Sequence, residues 1–103
     1  MTPITLTPEL NAEIVRTVGL SDDRVLFAAS TEHPDCLCMV VLGDVAPENM
    51  QKLCDVLRKA SNCEWRLCAN VIEEADVWRF LGLPFESAWR LSWERNVATV
   101  RMG

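Results

Sequence analysis

The sequence has no segment suited to crossing a membrane and no start typical of a secreted protein. No apolar run approaches the roughly 18 residues that a membrane-spanning helix needs. Residues 1–4 do not combine a basic group with a following apolar block, as a secretory signal would. We therefore expect a protein that does not bind membranes and is located in the cytoplasm.

Positive charge is scarce and unevenly placed. The chain has 10 lysine and arginine residues against 15 acids, a formal net charge of −5, and residues 1–50 contain eight acids but only Arg16 and Arg24 as bases. Direct binding of nucleic acid needs a basic surface that displaces phosphate counterions, so we expect no nucleic-acid partner. An acidic face is typical of a solubilising surface, and it can also attract a protein partner with a basic surface.

The five cysteines include no Cys-x-x-Cys pair, and their odd number does not fit a disulfide framework. His33, Asp35, Cys36 and Cys38 lie close together in sequence. Structural zinc sites, however, normally show two spaced pairs of ligands, and the sequence has no second pair. We therefore predict no metal and no cofactor. The cysteines are expected to be reduced and mostly buried, packing as small hydrophobic residues.

The length and a hydrophobic content of 50% predict one domain, residues 1–103, with its own core. A first helix is predicted over Pro8–Val18. Thr7 can cap its start, proline suits its first position, and Gly19 suits its end.

Two strands, a helix and a third strand are predicted next. Arg24–Ser30 reads as a strand, and Cys36–Leu42 has no polar face, which is typical of a central strand covered on both sides. Apolar residues at helical spacing predict a second helix over Pro47–Ala60, and alternation predicts a strand over Glu64–Ile72. A strand, a helix and a strand joined by short connections form a parallel βαβ unit.

The C-terminal third predicts a short helix followed by a β-hairpin. Residues 74–81 place Val77, Phe80 and Leu81 on one side of the helix, and the large residues of Phe85–Trp93 alternate with small or polar ones as in a strand. A second strand over Val97–Met102 would complete the hairpin. The predicted fold is a single small α+β or α/β domain with a mixed sheet of about five strands and three helices.

The predicted C-terminal order β-α-β-α-β-β, together with Val-Trp-Arg-Phe-Leu-Gly-Leu at residues 77–83, resembles the C-terminal half of the GNAT N-acetyltransferases. In that family a helix with a comparable hydrophobic, aromatic and glycine pattern follows a splayed strand pair and precedes two closing strands. The resemblance implies a GNAT-like fold. It also implies an alternative function, an acyl-CoA-dependent N-acetyltransferase-like enzyme.

Two features of that family's active site have no counterpart in this chain. The family holds the CoA pyrophosphate with backbone N–H groups of a glycine-rich turn at a helix N-terminus, whereas residues 43–48 read Gly-Asp-Val-Ala-Pro-Glu. The helix tyrosine that acts as a general acid in the family is replaced by Trp78, whose indole N–H cannot shuttle protons, and the chain has no tyrosine. We therefore expect neither the cofactor site nor the acid.

A candidate partner-binding surface lies at the start of the tryptophan-rich C-terminal third. Its residues are Trp78 and Arg79 with the acids Glu73, Glu74 and Asp76. Tryptophan and arginine are enriched in binding hot spots. Three acids at a helix N-terminus are more often a favourable interaction with the helix dipole than a cation site.

No catalytic residue is predicted, because the single histidine, His33, lies beside a proline in a turn. The residues favour a non-catalytic protein-binding module. We expect a small acidic inhibitor or accessory protein, of the kind that phages encode, acting through the tryptophan and arginine residues and an acidic face. Self-association as a homodimer stays open.

Overall fold

A computed structural model describes residues 3–62, 64–95 and 98–101 of the chain. The helices and strands in chain order are α1 (Pro8–Val18), β1 (Val25–Ala29), β2 (Cys36–Leu42), α2 (Pro47–Ser61), β3 (Arg66–Ile72), α3 (Phe85–Glu94) and β4 (Ala98–Arg101). Two 3₁₀ helices, Asp22–Arg24 and Glu74–Arg79, precede β1 and α3.

The strands form one mixed sheet in the order β1-β2-β3-β4. β2 and β3 are parallel, whereas β1 pairs with β2, and β4 with β3, in antiparallel fashion. The predicted βαβ unit, β2-α2-β3, is confirmed, and the molecule is a small compact α+β domain. The expected count of about five strands is not confirmed, because the described residues form four.

Local sequence signals determine the first helix. Thr7 Oγ1 accepts a hydrogen bond from the Leu10 amide at 3.1 Å, and Gly19 ends the helix with a left-handed φ of 81°. Glycine adopts that conformation without steric cost. The predicted bounds of α1 and β2 are confirmed, and α2 extends one residue beyond its predicted end.

The helices α1 and α2 cover one face of the sheet, called here the closed face. Its core combines odd-numbered residues of β2 and β3 with the apolar stripes of both helices. The fully buried members include Ile14, Leu37, Met39, Val41, Leu53 and Leu57.

The opposite face, called here the half-open face, is covered only in part. Val40, Leu42 and Ile72 of the strands pack there against residues of the second 3₁₀ helix and α3. A buried polar contact fixes α3 to the sheet: Asn70 Nδ2 donates to Ser92 Oγ, which donates in turn to the Trp89 carbonyl at 2.7 Å.

The predicted first strand of the hairpin is wrong, because Phe85–Glu94 is a helix. Pro84 does not prevent this helix; it occupies the N-cap position, where a missing N–H is harmless. Ala88 and Ser92 are buried at four-residue spacing and form the inner side of the helix. The second predicted strand is present as β4, although Val97 and Met102 lie outside the described residues.

Among the described residues, no helix is long and apolar enough to cross a membrane.

Candidate functional site

The candidate residues Glu73, Glu74, Asp76, Trp78 and Arg79 all lie on or beside the 3₁₀ helix that follows β3. Val77 of this helix is buried in the core of the half-open face. Burial of that side orients Trp78 outwards, where 69% of its surface is exposed. Trp78 therefore lies on the solvent side of this 3₁₀ helix.

Leu81 was predicted to share the buried side with Val77 and Phe80, and this prediction is wrong. Phe80 is fully buried, but Leu81 is 43% exposed. A 3₁₀ helix has three residues per turn, so Val77 and its cap residue Phe80 share a side, whereas Leu81 follows the end of the helix and turns away from that side. The exposed residues Trp78, Arg79 and Leu81 are called here the tryptophan surface.

The arginine of the tryptophan surface packs against its tryptophan. The Arg79 guanidinium carbon lies 5.1 Å from the centre of the Trp78 ring, within the range of a cation–π interaction. Arg79 also approaches Asp76, with 3.5 Å between Nη1 and Oδ1. These two contacts hold the guanidinium beside the indole, so the patch presents a defined shape.

Most of the acids at this surface are paired with arginines. Glu74 Oε1 is 3.2 Å from Arg24 Nη1, and Asp76 Oδ1 is 3.9 Å from Arg95 Nη1. Glu73 is exposed and has no ion-pair partner within residues 3–62, 64–95 and 98–101. The surface therefore carries mixed charges around an apolar centre, and Glu73 is its one acid without an ion pair to another described residue.

A second feature, which the sequence did not reveal, is an open cleft on the half-open face of the sheet. Three half-buried thiols, those of Cys36, Cys38 and Cys68, lie on its floor. Cys38 lies directly opposite Cys68 in the parallel pairing of β2 and β3. The expectation that the cysteines are mostly buried is met by Cys54 alone among the four described; Cys63 lies outside the described residues.

The walls of this thiol cleft are aromatic and polar. Trp89 and Trp93 come from α3, with their ring centres 5.8 Å apart in an edge-to-face arrangement. His33 and Arg66 also line the cleft. Arg66 is held by Asp35, with 3.2 Å between Nε and Oδ2.

The Cys38 thiol is poorly suited to nucleophilic catalysis. Burial raises the pKa of the Cys38 thiol to about 11, and the neighbouring Cys36 and Cys68 add to the increase. A thiol with this pKa is almost entirely protonated at neutral pH, and only the thiolate is strongly nucleophilic. No group of three or more potential ligands within the described ranges has a geometry that could hold a metal ion.

The turn between β2 and α2 is the place where the GNAT resemblance implies a pyrophosphate site. Gly43 is buried with φ of 132°, and its N–H donates to the Ile72 carbonyl at 2.9 Å. The pairing of β2 with β3 continues to Leu42 and Ile72, the last residues of the two strands. This N–H is therefore already engaged within the fold.

Searches for known relatives found no matching family model, no matching curated protein and no matching solved structure.

Proposed function

We propose that the protein is a non-catalytic binding module that docks a partner protein through the tryptophan surface. The observation that carries this proposal is the 69% exposure of Trp78. A large aromatic side chain exposed to water does not gain the favourable free energy of burial. Val77 and Phe80 already supply the buried side of this segment, so the core does not need Trp78. Burial against a partner would supply this free energy.

The surroundings of Trp78 resemble the organisation of protein interfaces. An aromatic anchor lies beside an arginine and an exposed leucine, and ion-paired acids surround them. Interfaces typically combine an apolar centre with a polar rim, and their largest contributions come from tryptophan, tyrosine and arginine. The free carboxylate of Glu73 and the net charge of −5 favour a partner with a basic surface.

The absence of a catalytic role is part of the same proposal. It is supported by the raised pKa of Cys38 and by the position of His33, which is exposed in the turn before β2. A module of this kind would act as an inhibitor or accessory protein by occupying a surface of its partner.

The acyltransferase alternative gains no support from the turn at the start of α2. The N–H of Gly43 is engaged, Pro47 has no N–H, and Asp44 is exposed beside them. Calorimetry with acetyl-CoA tests this alternative directly. Saturable micromolar binding would restore it, whereas we expect no heat of binding.

The proposal is tested by capture from a lysate of the source organism, followed by measurement with the purified partner. Immobilised wild-type protein should retain a partner that Trp78→Ala loses, with a decrease in affinity of about thirtyfold for a hot-spot residue. Trp93→Ala is the matched control, since it removes a 42% exposed tryptophan on a different helix. Equal loss of binding in both variants, or undiminished binding of Trp78→Ala, would contradict the assignment of this surface.

A further inference from the structure

The outer edge of β1 is a row of available backbone groups. β1 is the first strand of the sheet and pairs with β2 alone among the described strands. The Ser30 amide donates to the Cys36 carbonyl at 2.9 Å, so the residue that follows β1 directs its backbone groups towards β2. Backbone hydrogen bonds alternate along an antiparallel ladder, so Val25, Phe27 and Ala29 direct their N–H and C=O groups away from the sheet.

The sequence of β1 contains none of the devices that usually protect a sheet edge. Val-Leu-Phe-Ala-Ala has no charged residue and no proline, and its pairing with β2 is uninterrupted by a bulge. Natural edge strands commonly carry charges, proline or bulges that prevent further pairing. Strand β4, at the opposite edge, contains Arg101.

Two clefts flank this edge, one on each side of the sheet. The cleft on the α1 side is bordered mainly by the apolar residues Ala12, Val15, Leu20, Val25 and Phe27. The cleft on the α3 side is bordered by Ala28, Cys38, Phe85 and Trp89 among others. An added strand directs successive side chains to opposite faces, so each cleft would receive every second side chain.

The charges around the edge indicate what could bind there. Asp22 and Asp23 are exposed at one end of β1, Glu32 is exposed beyond the other end, and Glu86 borders the cleft on the α3 side. Arg16 borders the cleft on the α1 side. The surroundings are predominantly acidic, which favours a strand with basic flanks.

The same charges disfavour pairing with a second copy of the chain. A two-fold antiparallel pair that uses the whole strand is centred on Phe27. It would bring Asp22 of each copy to the end occupied by Glu32 of the other. Like charges placed opposite each other destabilise strand pairing.

We propose that the edge of β1 is a second docking site, which accepts an extended apolar segment of a partner protein, flanked by lysine or arginine, as an additional strand. The backbone groups of Val25, Phe27 and Ala29 would bind the main chain of that segment, and the two clefts would select its side chains. This site shares no residue with the tryptophan surface, so the two proposals can fail independently.

Ala29→Pro is the variant that blocks the edge. Proline removes the outward N–H of residue 29, and the inward hydrogen bonds of Ala28 and Ser30 stay in place. Ala29→Ser is the matched control, because it keeps the N–H with a side chain of similar size. Both variants should melt cooperatively, which thermal unfolding checks before any binding experiment.

The probe is the synthetic peptide Lys-Lys-Val-Ile-Val-Ile-Val-Lys-Lys, labelled for fluorescence anisotropy. We expect saturable binding to the wild type, to Trp78→Ala and to Ala29→Ser. Binding should weaken about tenfold with Ala29→Pro, or with glutamates in place of the peptide lysines. Amide hydrogen exchange at Val25, Phe27 and Ala29 should slow when the peptide is added.

Three results would overturn the proposal. The first is equal affinity of the basic and acidic peptides, or no binding of either. The second is exchange protection that omits the three edge amides. The third is a dimer in sedimentation velocity that Ala29→Pro dissociates, since this would identify a second copy as the occupant.

Discussion

The two faces of the sheet use the same strands but are covered differently. The closed face packs against α1 and α2 and contains most of the buried apolar residues. The half-open face has a smaller buried cluster and leaves three cysteines half exposed. This difference indicates that one face supplies most of the stability, whereas the other leaves surface available for binding.

Helix length explains part of this difference. At about 1.5 Å per residue, the 15 residues of α2 extend about 22 Å. The seven residues of β2 extend about 23 Å at about 3.3 Å per residue. The 10 residues of α3 reach only about 15 Å, so this helix is too short to cover the whole length of the strands.

The largest effect is expected on the closed face. Leu53 of α2 is fully buried there, and Leu53→Ala should lower the free energy of unfolding by about 3 kcal/mol through lost burial and a residual cavity. Urea denaturation measures this change. The exposed Lys52 on the same helix provides the control, since Lys52→Ala should change the value by less than about 0.5 kcal/mol.

A smaller effect is expected for a larger side chain on the half-open face. Trp89 is only half buried, although its ring stacks on Phe85 with 5.9 Å between centres. Trp89→Ala should cost about 2 kcal/mol, below the range for fully buried aromatic residues. A cost above that of Leu53→Ala would mean that α3 contributes as much to stability as α2, and the comparison of the faces would then fail.

The misassigned helix α3 shows why one part of this fold could be predicted from sequence and another could not. Helices α1 and α2 have apolar residues at three- and four-residue spacing, together with caps or a proline at their starts. In α3 the large residues Phe85, Trp89 and Trp93 recur every fourth position, which satisfies a strand and a helix equally. The positions that distinguish a helix from a strand here are Ala88 and Ser92, which are buried. Because both residues are small and one is polar, the sequence does not mark them as buried.

The candidate sites also differ in whether the sequence could predict them. Exposure of Trp78 was predictable because its neighbours Val77 and Phe80 supply the buried side of a local element. The thiol cleft and the open edge of β1 depend on which strands pair and on where a helix ends. Such long-range arrangements leave no periodic signal in a single sequence.

The half-open face should also respond to pH through Cys38. Burial raises the pKa of this thiol from its ordinary value of 9.0 to about 11. A group whose pKa is higher in the folded state than in the unfolded state contributes its full stabilisation at pH values below the unfolded-state pKa. For Cys38 this contribution is lost as the pH rises from about 9 to about 11. Wild-type protein should therefore lose more stability than Cys38→Ala over that interval, as urea midpoints can measure. Parallel curves for the two proteins would show that the cleft is more open to water than the fold indicates.

The smallest effect on stability is expected at the tryptophan surface. The change is again tryptophan to alanine, which is costly at Trp89 in α3. Trp78 contacts solvent over 69% of its surface, so Trp78→Ala should change the free energy of unfolding by less than about 0.5 kcal/mol. Thermal melts of Trp78→Ala and Trp89→Ala, measured together with partner binding, separate three cases. Similar destabilisation of both variants would mean that the whole segment serves as core. An unaffected melt with unaffected binding would leave Trp78 without a role in recognition. We expect an unaffected melt with lost binding, because the domain folds without burying this indole.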